Sequence, residues 1–330
     1  MGGNALKQHK AVRLEKNDYE PLARQCIARL RELYPDGRIE AIQAYREKQS
    51  FGDLDVLVAA DGYDPFKAAD ALGSVEVVRN GPVTSVGVEV PGGGIFQVDI
   101  IKSPLEEFDY ASRYFRWNDL GNLIGRIAHA MGVAHRHDGL FFYFRDGDHL
   151  FREILLTRDH DMALLFLGID PMRFNRGFDT LEDVFRFVAS SSFFNRDIYL
   201  LQNRNAKSRV RDSKRPSYMK FLAWCEANPD LPSFSFPENK ILWRARFSVH
   251  FPGFSVEHEK AESDLARIHA AREKFNGELA SRITGLTGKP LGELIRKFRD
   301  SFESTEAQQD FVLSASPDEI KSRIRQLHAG

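Results

Sequence analysis

The chain has 330 residues, 42% of them hydrophobic and 28% charged, the composition of a globular protein that buries a core. Its 46 Lys and Arg against 47 Asp and Glu leave a formal net charge of -1, which excludes a general polycation and requires any nucleic-acid site to be a local patch. The two cysteines, Cys26 and Cys225, are far apart, which excludes a disulfide framework and a zinc spacing and makes a reducing compartment the expectation.

The first stretch, MGGNALKQHKAVRL, has no apolar h-region, and no window approaches the ~18 apolar residues of a membrane span. The expectation is a cytoplasmic protein without a membrane partner. Met1-Gly2 is followed by Ala5-Leu6 where N-myristoylation asks for Ser or Thr. Residues 1–16 read as a polar arm or a short edge element. Leu22, Cys26, Ile27, Leu30 and Leu33 recur at helical spacing in 17–34, with Asn17 or Asp18 placed to cap the helix and Cys26 placed in the core. PDGR at 35–38 is turn chemistry. IEAIQAY (39–45) and DVLVAA (55–60) read as strands, and DPFKAADALG (64–73) as a short helix. VEVVRNG, TSVGVEV and IFQVDII read as three more strands, the last two joined by a hairpin at Pro91-Gly92-Gly93-Gly94. No Lys-Ser/Thr follows those glycines, so they are not a phosphate loop.

From 104 the pattern turns helical, in SPLEEFDYASRYF and NDLGNLIGRIAHAMGV, with a hairpin within 139–156 and a short helix ending at Gly168. His135 and His137 could form a metal pair on a strand or loop, but read as a polar loop because no Cys or further His completes a set; His129 and His160 read as helix-surface residues. LEDVFRFVASSSFF (181–194) is amphipathic, residues 227–239 read as a Pro- and Ser-rich linker, and the chain beyond 255 as charged helices.

The segment SFGDLDVLV carries the chemistry. Strand side chains alternate between faces, so Asp53 and Asp55 point the same way. Two ionised carboxylates so close repel each other and raise each other's pKa, unless cations lie between them; Mg²⁺, or Mn²⁺, suits carboxylates, water and substrate phosphates. Asp99 in VDI, on a strand of the same sheet, completes a trio. A two-metal site of this kind lowers the pKa of an attacking hydroxyl and clamps a nucleoside triphosphate, and Asp99 is the candidate to take the hydroxyl's proton. A lone D-x-D at a strand end is commonly a solvated edge. The small-residue turn Ser50-Phe51-Gly52 before it and the later h-D-h strand set this one apart.

With these residues in place, the chain resembles the DNA polymerase beta-like nucleotidyltransferases, and more narrowly the family X DNA polymerases. SFGDLDVLV is similar to the first metal motif of that family and FQVDII to the second. Tyr114-Phe115 is similar to its sugar-lining Tyr-Phe pair, and ALLFLGIDPMRF to the stretch that closes its core; the resemblance covers roughly residues 20–176. It implies that Asp53, Asp55 and Asp99 hold the metals, that Arg46 binds triphosphate, that Ser50 and Gly52 are nucleotide contacts, that Asp119 stacks on the incoming base, that Asn122 contacts the base edge, and that Arg126 reaches the template side. The departures are equally specific. Ile42-Gln43 stands where the family has Gly-Ser, Arg116-Trp117 where it has Thr-Gly, and Phe96-Gln97 where an arginine precedes the third carboxylate. Nothing in the residues before the core resembles the family's helix-hairpin-helix modules. GLTGKPLGELIRKF (285–298) is faintly similar to the C-terminal helices of CCA-adding tRNA nucleotidyltransferases.

The segment 203–220 holds seven Lys or Arg and one Asp. Arg204, Lys207, Arg209, Arg211, Lys214 and Arg215, with Tyr218 and Phe221 nearby, form a candidate nucleic-acid path, since phosphates favour such clusters and bases stack on aromatics. The expectation is therefore an α+β monomer: a nucleotidyltransferase palm at 1–103 with a mixed or antiparallel sheet and helices on one side, a nucleotide-selecting helical subdomain at 104–176, and a helical C-terminal domain at 177–330. Its expected activity is metal-dependent addition of nucleotides to a nucleic-acid 3′-hydroxyl, on a DNA primer-template or an RNA 3′ end. The alternatives are a tRNA end-adding enzyme, a synthetase of small signalling nucleotides, and a nucleic-acid binder without catalysis.

Overall fold

A computed structural model describes residues 4–329 of the chain; the Met1-Gly2 pair, Gly3 and Gly330 lie outside the described residues. The chain forms two compact units, one of the residues up to Tyr143 plus Leu155–Pro252, the other of Phe144–Ile154 plus the residues from Gly253 onward. The divisions at 103 and 176 both fall inside the first unit.

In the first unit, β1 (Leu14–Glu15) runs directly into α1 (Lys16–Leu33), whose Leu22, Cys26 and Leu30 are buried. Neither Asn17 nor Asp18 caps α1. The cap residue is Glu15, with no side-chain bond, because β1 already pairs with β3 (Ser50–Phe51) and the Lys16 N–H donates to the Gln49 carbonyl at 2.9 Å. Next come β2 (Arg38–Ala41), β4 (Asp53–Ala59), α2 (Pro65–Ala71, capped by Asp64), β5 (Ser74–Asn80), β6 (Val83–Glu89) and β7 (Ile95–Lys102). They make a five-stranded sheet of order β2-β4-β7-β6-β5, mixed because β4 and β7 are parallel and the other neighbours antiparallel. The strand expected over 39–45 ends at Ala41. Beyond it the chain leaves the sheet, held by bonds from Ile42 N–H to the Asp55 carbonyl and from Trp117 N–H to the Gln43 carbonyl.

Strand alternation splits the sheet's two faces. Leu54, Val56, Val58, Val98 and Ile100 pack with α1 and α2 in the main core. Leu57, Ala59 and Ile101 pack on the other face against Phe108 and Ala111 of α3 (Phe108–Phe115). Helices therefore cover both faces, not one. The chain continues with α4 (Leu120–Ala130), β8 (Val133–Arg136), β9 (Gly139–Asp146) and β10 (His149–Thr157), whose tip at 144–154 belongs to the second unit, and then, in the first unit, α5 (His160–Phe166), α6 (Pro171–Arg176), α7 (Leu181–Ala189), α8 (Ala206–Ser213), α9 (Pro216–Ala227) and α10 (Arg244–His250).

Two histidine expectations are corrected. His135 lies on β8, not in a polar loop, and is buried; His160 opens α5 facing inward onto Tyr110 and Phe174, not at the surface. The 227–239 segment lacks helix and strand but is no free linker, since Phe234 exchanges bonds with Phe194 and Asn195 and packs on Phe193. The second unit joins the β9–β10 tip to α11 (Phe254–Lys274), α12 (Gly277–Thr284), α13 (Gly288–Asp300), α14 (Thr305–Ser314) and α15 (Pro317–Ala329). Its own core includes Phe275, Leu294, Phe298, Val312 and Ile320. Arg152–Asp264 (2.7 Å) and His269–Asp146 (2.9 Å) tie the tip to α11. No helix among the described residues is long and apolar enough to cross a membrane.

Candidate active site

The parallel ladder of β4 and β7 sets Asp55 opposite Asp99, and Asp53 shares their face two residues earlier. Carboxylate oxygens of Asp53, Asp55 and Asp99 lie within 4.8 Å of one another. The environment disfavours charge. Burial, then the charges of Asp53 and Asp99, push the Asp55 carboxyl up to about 7, with Lys48 pulling the other way. Burial pushes Asp99 up to about 6; a hydrogen bond from Ser85 opposes this, Asp53 adds to it, and a bond from Gln97 opposes it. Three hard oxygen donors that repel one another fit a divalent hard cation, whose charge removes the repulsion. The three residues could therefore hold a metal ion.

Asp53 and Asp55 line a cavity of about 480 Å³ whose walls also carry the cations Lys48, Arg211, Lys214 and Arg215. Lys48 lies with its ammonium 4.5 Å from the Phe51 ring centroid, and Phe51 stacks on Tyr19 at 3.8 Å. Burial pulls the Lys48 pKa down although Asp53 and Asp55 favour its charge. Phe115, Asn118, Asp119 and Ser217 also line the cavity. Trp117 and Asn118 hold left-handed backbone, φ 64° and 62°, a strained conformation for residues with a side chain. The Trp117 N–H bond to Gln43 and the packing of its indole edge-on to Phe178 maintain it.

The sequence-derived candidates separate into groups. Asp53, Asp55, Phe115, Asp119, Arg211, Lys214 and Arg215 meet at the cavity, and Asp99 joins the carboxylates. Arg46 does not. Its guanidinium pairs with Asp179 at 2.6 Å and donates to the Arg176 carbonyl, on the wall of a second cavity of about 670 Å³. Ser50 accepts from Arg13 Nε at 3.1 Å at the mouth of β4, beside the buried Gly52. Tyr114 packs on His135. Asn122 and Arg126 sit on α4 and are not among the described residues that line the cavity.

The basic segment divides in two. Arg204 and Arg211 pair with the fully buried Asp212, and Arg209 bonds the Leu201 and Arg204 carbonyls. Arg215 reaches Asp119 at 2.6 Å. Lys207 is exposed.

Sequence reasoning missed Lys48, Tyr19 and Gln97. Lys48 had a signal, a second cation two residues after Arg46, but periodicity does not tell which of two loop residues turns inward. Gln97 had one too: it precedes Asp99 by two on a strand and so shares its face. No family model matches the chain, and no curated protein matches it.

Proposed function

We propose that the protein is a divalent-cation-dependent nucleotidyltransferase of the polymerase beta-like class, with a palm at its five-stranded sheet. It transfers a nucleotide from a nucleoside triphosphate to a nucleic-acid 3′-hydroxyl. One observation carries the reading: three clustered carboxylates on adjacent parallel strands adjoin a cavity that also holds four cationic side chains. Acids alone suit a metal, and cations alone suit an anion. Both together suit a polyphosphate whose charge is shared between cation and protein.

In this reading Asp53, Asp55 and Asp99 hold Mg²⁺ or Mn²⁺, which when bound supplies charge neutralisation at the phosphates and acidifies the attacking hydroxyl. Asp99 accepts the proton of the 3′-hydroxyl. The 3′-oxygen bonds to the α-phosphorus, the bond from that phosphorus to its bridging oxygen breaks, and pyrophosphate leaves with the electron pair. Lys48 and Lys214 bind the triphosphate, a role the resemblance assigned to Arg46, and Arg211, which also pairs with Asp212 at 3.0 Å, lies beside them at the cavity wall. Arg215 holds Asp119 at the cavity wall, and Phe115 and Asn118 flank the sugar and base. The exposed Lys207 and Lys220 are available to the acceptor's phosphates.

The test is incubation with labelled primer, primer-template, RNA 3′ ends and no acceptor, each with Mg²⁺ and all eight nucleotides. The reading expects one strand to lengthen only with the metal, and Asp99→Ala to lower the rate by about 10³ or more while the fold persists. Lengthening that survives Asp99→Ala rejects it. A second reading, a nucleic-acid binder without catalysis, is favoured by the commitment of Arg46 to Asp179; it expects oligonucleotide binding that ignores both Mg²⁺ and Asp99→Ala.

A further inference from the structure

The N-terminal segment crosses the sheet on the face that bears the carboxylates. At one level the strand register aligns Glu76 of β5, Gly87 of β6, Gln97 of β7 and Asp53 of β4, and residues paired across neighbouring strands share a face. Ala5–His9 follows this row. The Ala5 N–H donates to Gln97 Oε1 at 2.8 Å. Leu6 lies over Gly87, where an added Cβ would come 3.2 Å from Leu6 Cδ1 and 2.7 Å from Ile95 Cγ2. The N–H groups of Lys7, Gln8 and His9 and the His9 ring converge on the Glu76 carboxylate at 2.5–3.0 Å. The chain then returns to β7, with Val12 N–H on the Ile95 carbonyl at 2.8 Å.

Gln97 connects this crossing to the site. It is 2% exposed, and its Nε2 donates to both oxygens of Asp99, at 2.9 and 3.0 Å. An amide has a donor end and an acceptor end, and reversing it would set oxygen against carboxylate. The Ala5 N–H can only donate, so it demands Oε1 and thereby sends Nε2 toward Asp99. We infer that Ala5–His9 is a strap that, through Gln97, fixes the direction in which Asp99 presents its oxygens and so sets the affinity of the carboxylate cluster for a divalent cation. The inference rests on the reading of that cluster as a cation site. Gln97 and the strap are positioning elements: neither touches the cation.

The test is calorimetric titration of Mn²⁺ into the full-length protein and two variants, with hydrogen exchange of the strap amides and thermal melting in parallel. Glu76→Gln weakens the strap's anchor two strands away from Asp99; Gln97→Leu removes the amide while keeping its bulk. The expected result is Mn²⁺ affinity lowered about 10-fold or more in both, the cost of losing a partner behind a ligand, with faster exchange at Lys7–His9 in Glu76→Gln. A purely structural strap would lower the melting temperature and leave Mn²⁺ affinity alone, and that outcome overturns the inference. Unchanged affinity in Gln97→Leu overturns it by itself, whatever the stability of Glu76→Gln. A wild-type protein that takes up no Mn²⁺ overturns the cation-site reading, and the inference with it.

Discussion

Arg46 and Lys48 are two positions apart and have opposite fates: one pairs with Asp179, the other lines the cavity with Asp53 and Asp55. Lys48→Met is therefore expected to weaken binding of a non-hydrolysable nucleoside triphosphate with Mg²⁺ about 10-fold or more, measured by calorimetry, while Arg46→Met changes it little. The three carboxylates were legible in the sequence because alternation fixes their face and the flanking apolar residues fix the strands. The direction of a loop side chain has no such periodicity, so Lys48 was not. The carboxylates also make stability depend on pH. Asp55 keeps its proton from 3.8 to about 7, whereas the unfolded chain loses it near 4. The native state holds more protons across that interval, so this group's contribution declines as pH rises through it. Asp55→Asn removes the decline and is expected to gain on the order of 1 kcal/mol or more over wild type at pH 7.5 without metal, read from urea midpoints. On the proposed cation site, added Mg²⁺ is expected to close that gap by stabilising the wild type alone.

Strands and helices came through the sequence well where the pattern was strong, as in β4, β7, the Pro91–Gly94 hairpin and the helices beyond 254. The start of α1 was not legible, because β1–β3 pairing sets it rather than a local cap. Nor was the second helical cover, because α3 packs on Leu57, Ala59 and Ile101, apolar residues that alternate with the other core in one continuous run. Burial of β8 and the start of α5 hides two histidines. Burial holds His135 down to about 4, and burial, then His135, Arg113 and Arg116, hold His160 well below its ordinary value. The unfolded chain takes up those protons below about 6.5, so their contribution to stability is lost as pH falls from there toward 4. This is opposite in sign to the carboxylate effect, and His160→Phe isolates it: the variant is expected to lose less stability than wild type between pH 6.5 and pH 5, by on the order of 1 kcal/mol. In α8, Asp212 is fully buried between Arg204 and Arg211. Asp212→Asn leaves a guanidinium without its partner and is expected to cost about 3 kcal/mol, seen as a lower urea midpoint. The basic run reads as a phosphate path in sequence because periodicity does not reveal that the acid at its centre pairs with Arg204 and Arg211.

The chain as a whole joins a unit that carries every candidate site residue to a unit with a separate helical core. The sequence divisions at 103 and 176 follow composition, whereas the coordinates follow contact, and the β9–β10 hairpin contributes its tip to the second unit from the middle of the chain. Such a non-contiguous partition leaves no mark in composition. A near-neutral formal charge with a partly buried Lys48 at the cavity predicts that triphosphate binding falls less steeply with salt than oligonucleotide binding at exposed cations does, since partly buried charge is screened less. The central claim is that Asp53, Asp55 and Asp99 form one cation site. Mn²⁺ titration of wild type against Asp99→Ala, followed by paramagnetic resonance, tests it most directly. The account predicts saturable binding by the wild type that Asp99→Ala weakens at least about 10-fold, with unchanged circular dichroism. Equal Mn²⁺ binding by both proteins, or none by either, contradicts it.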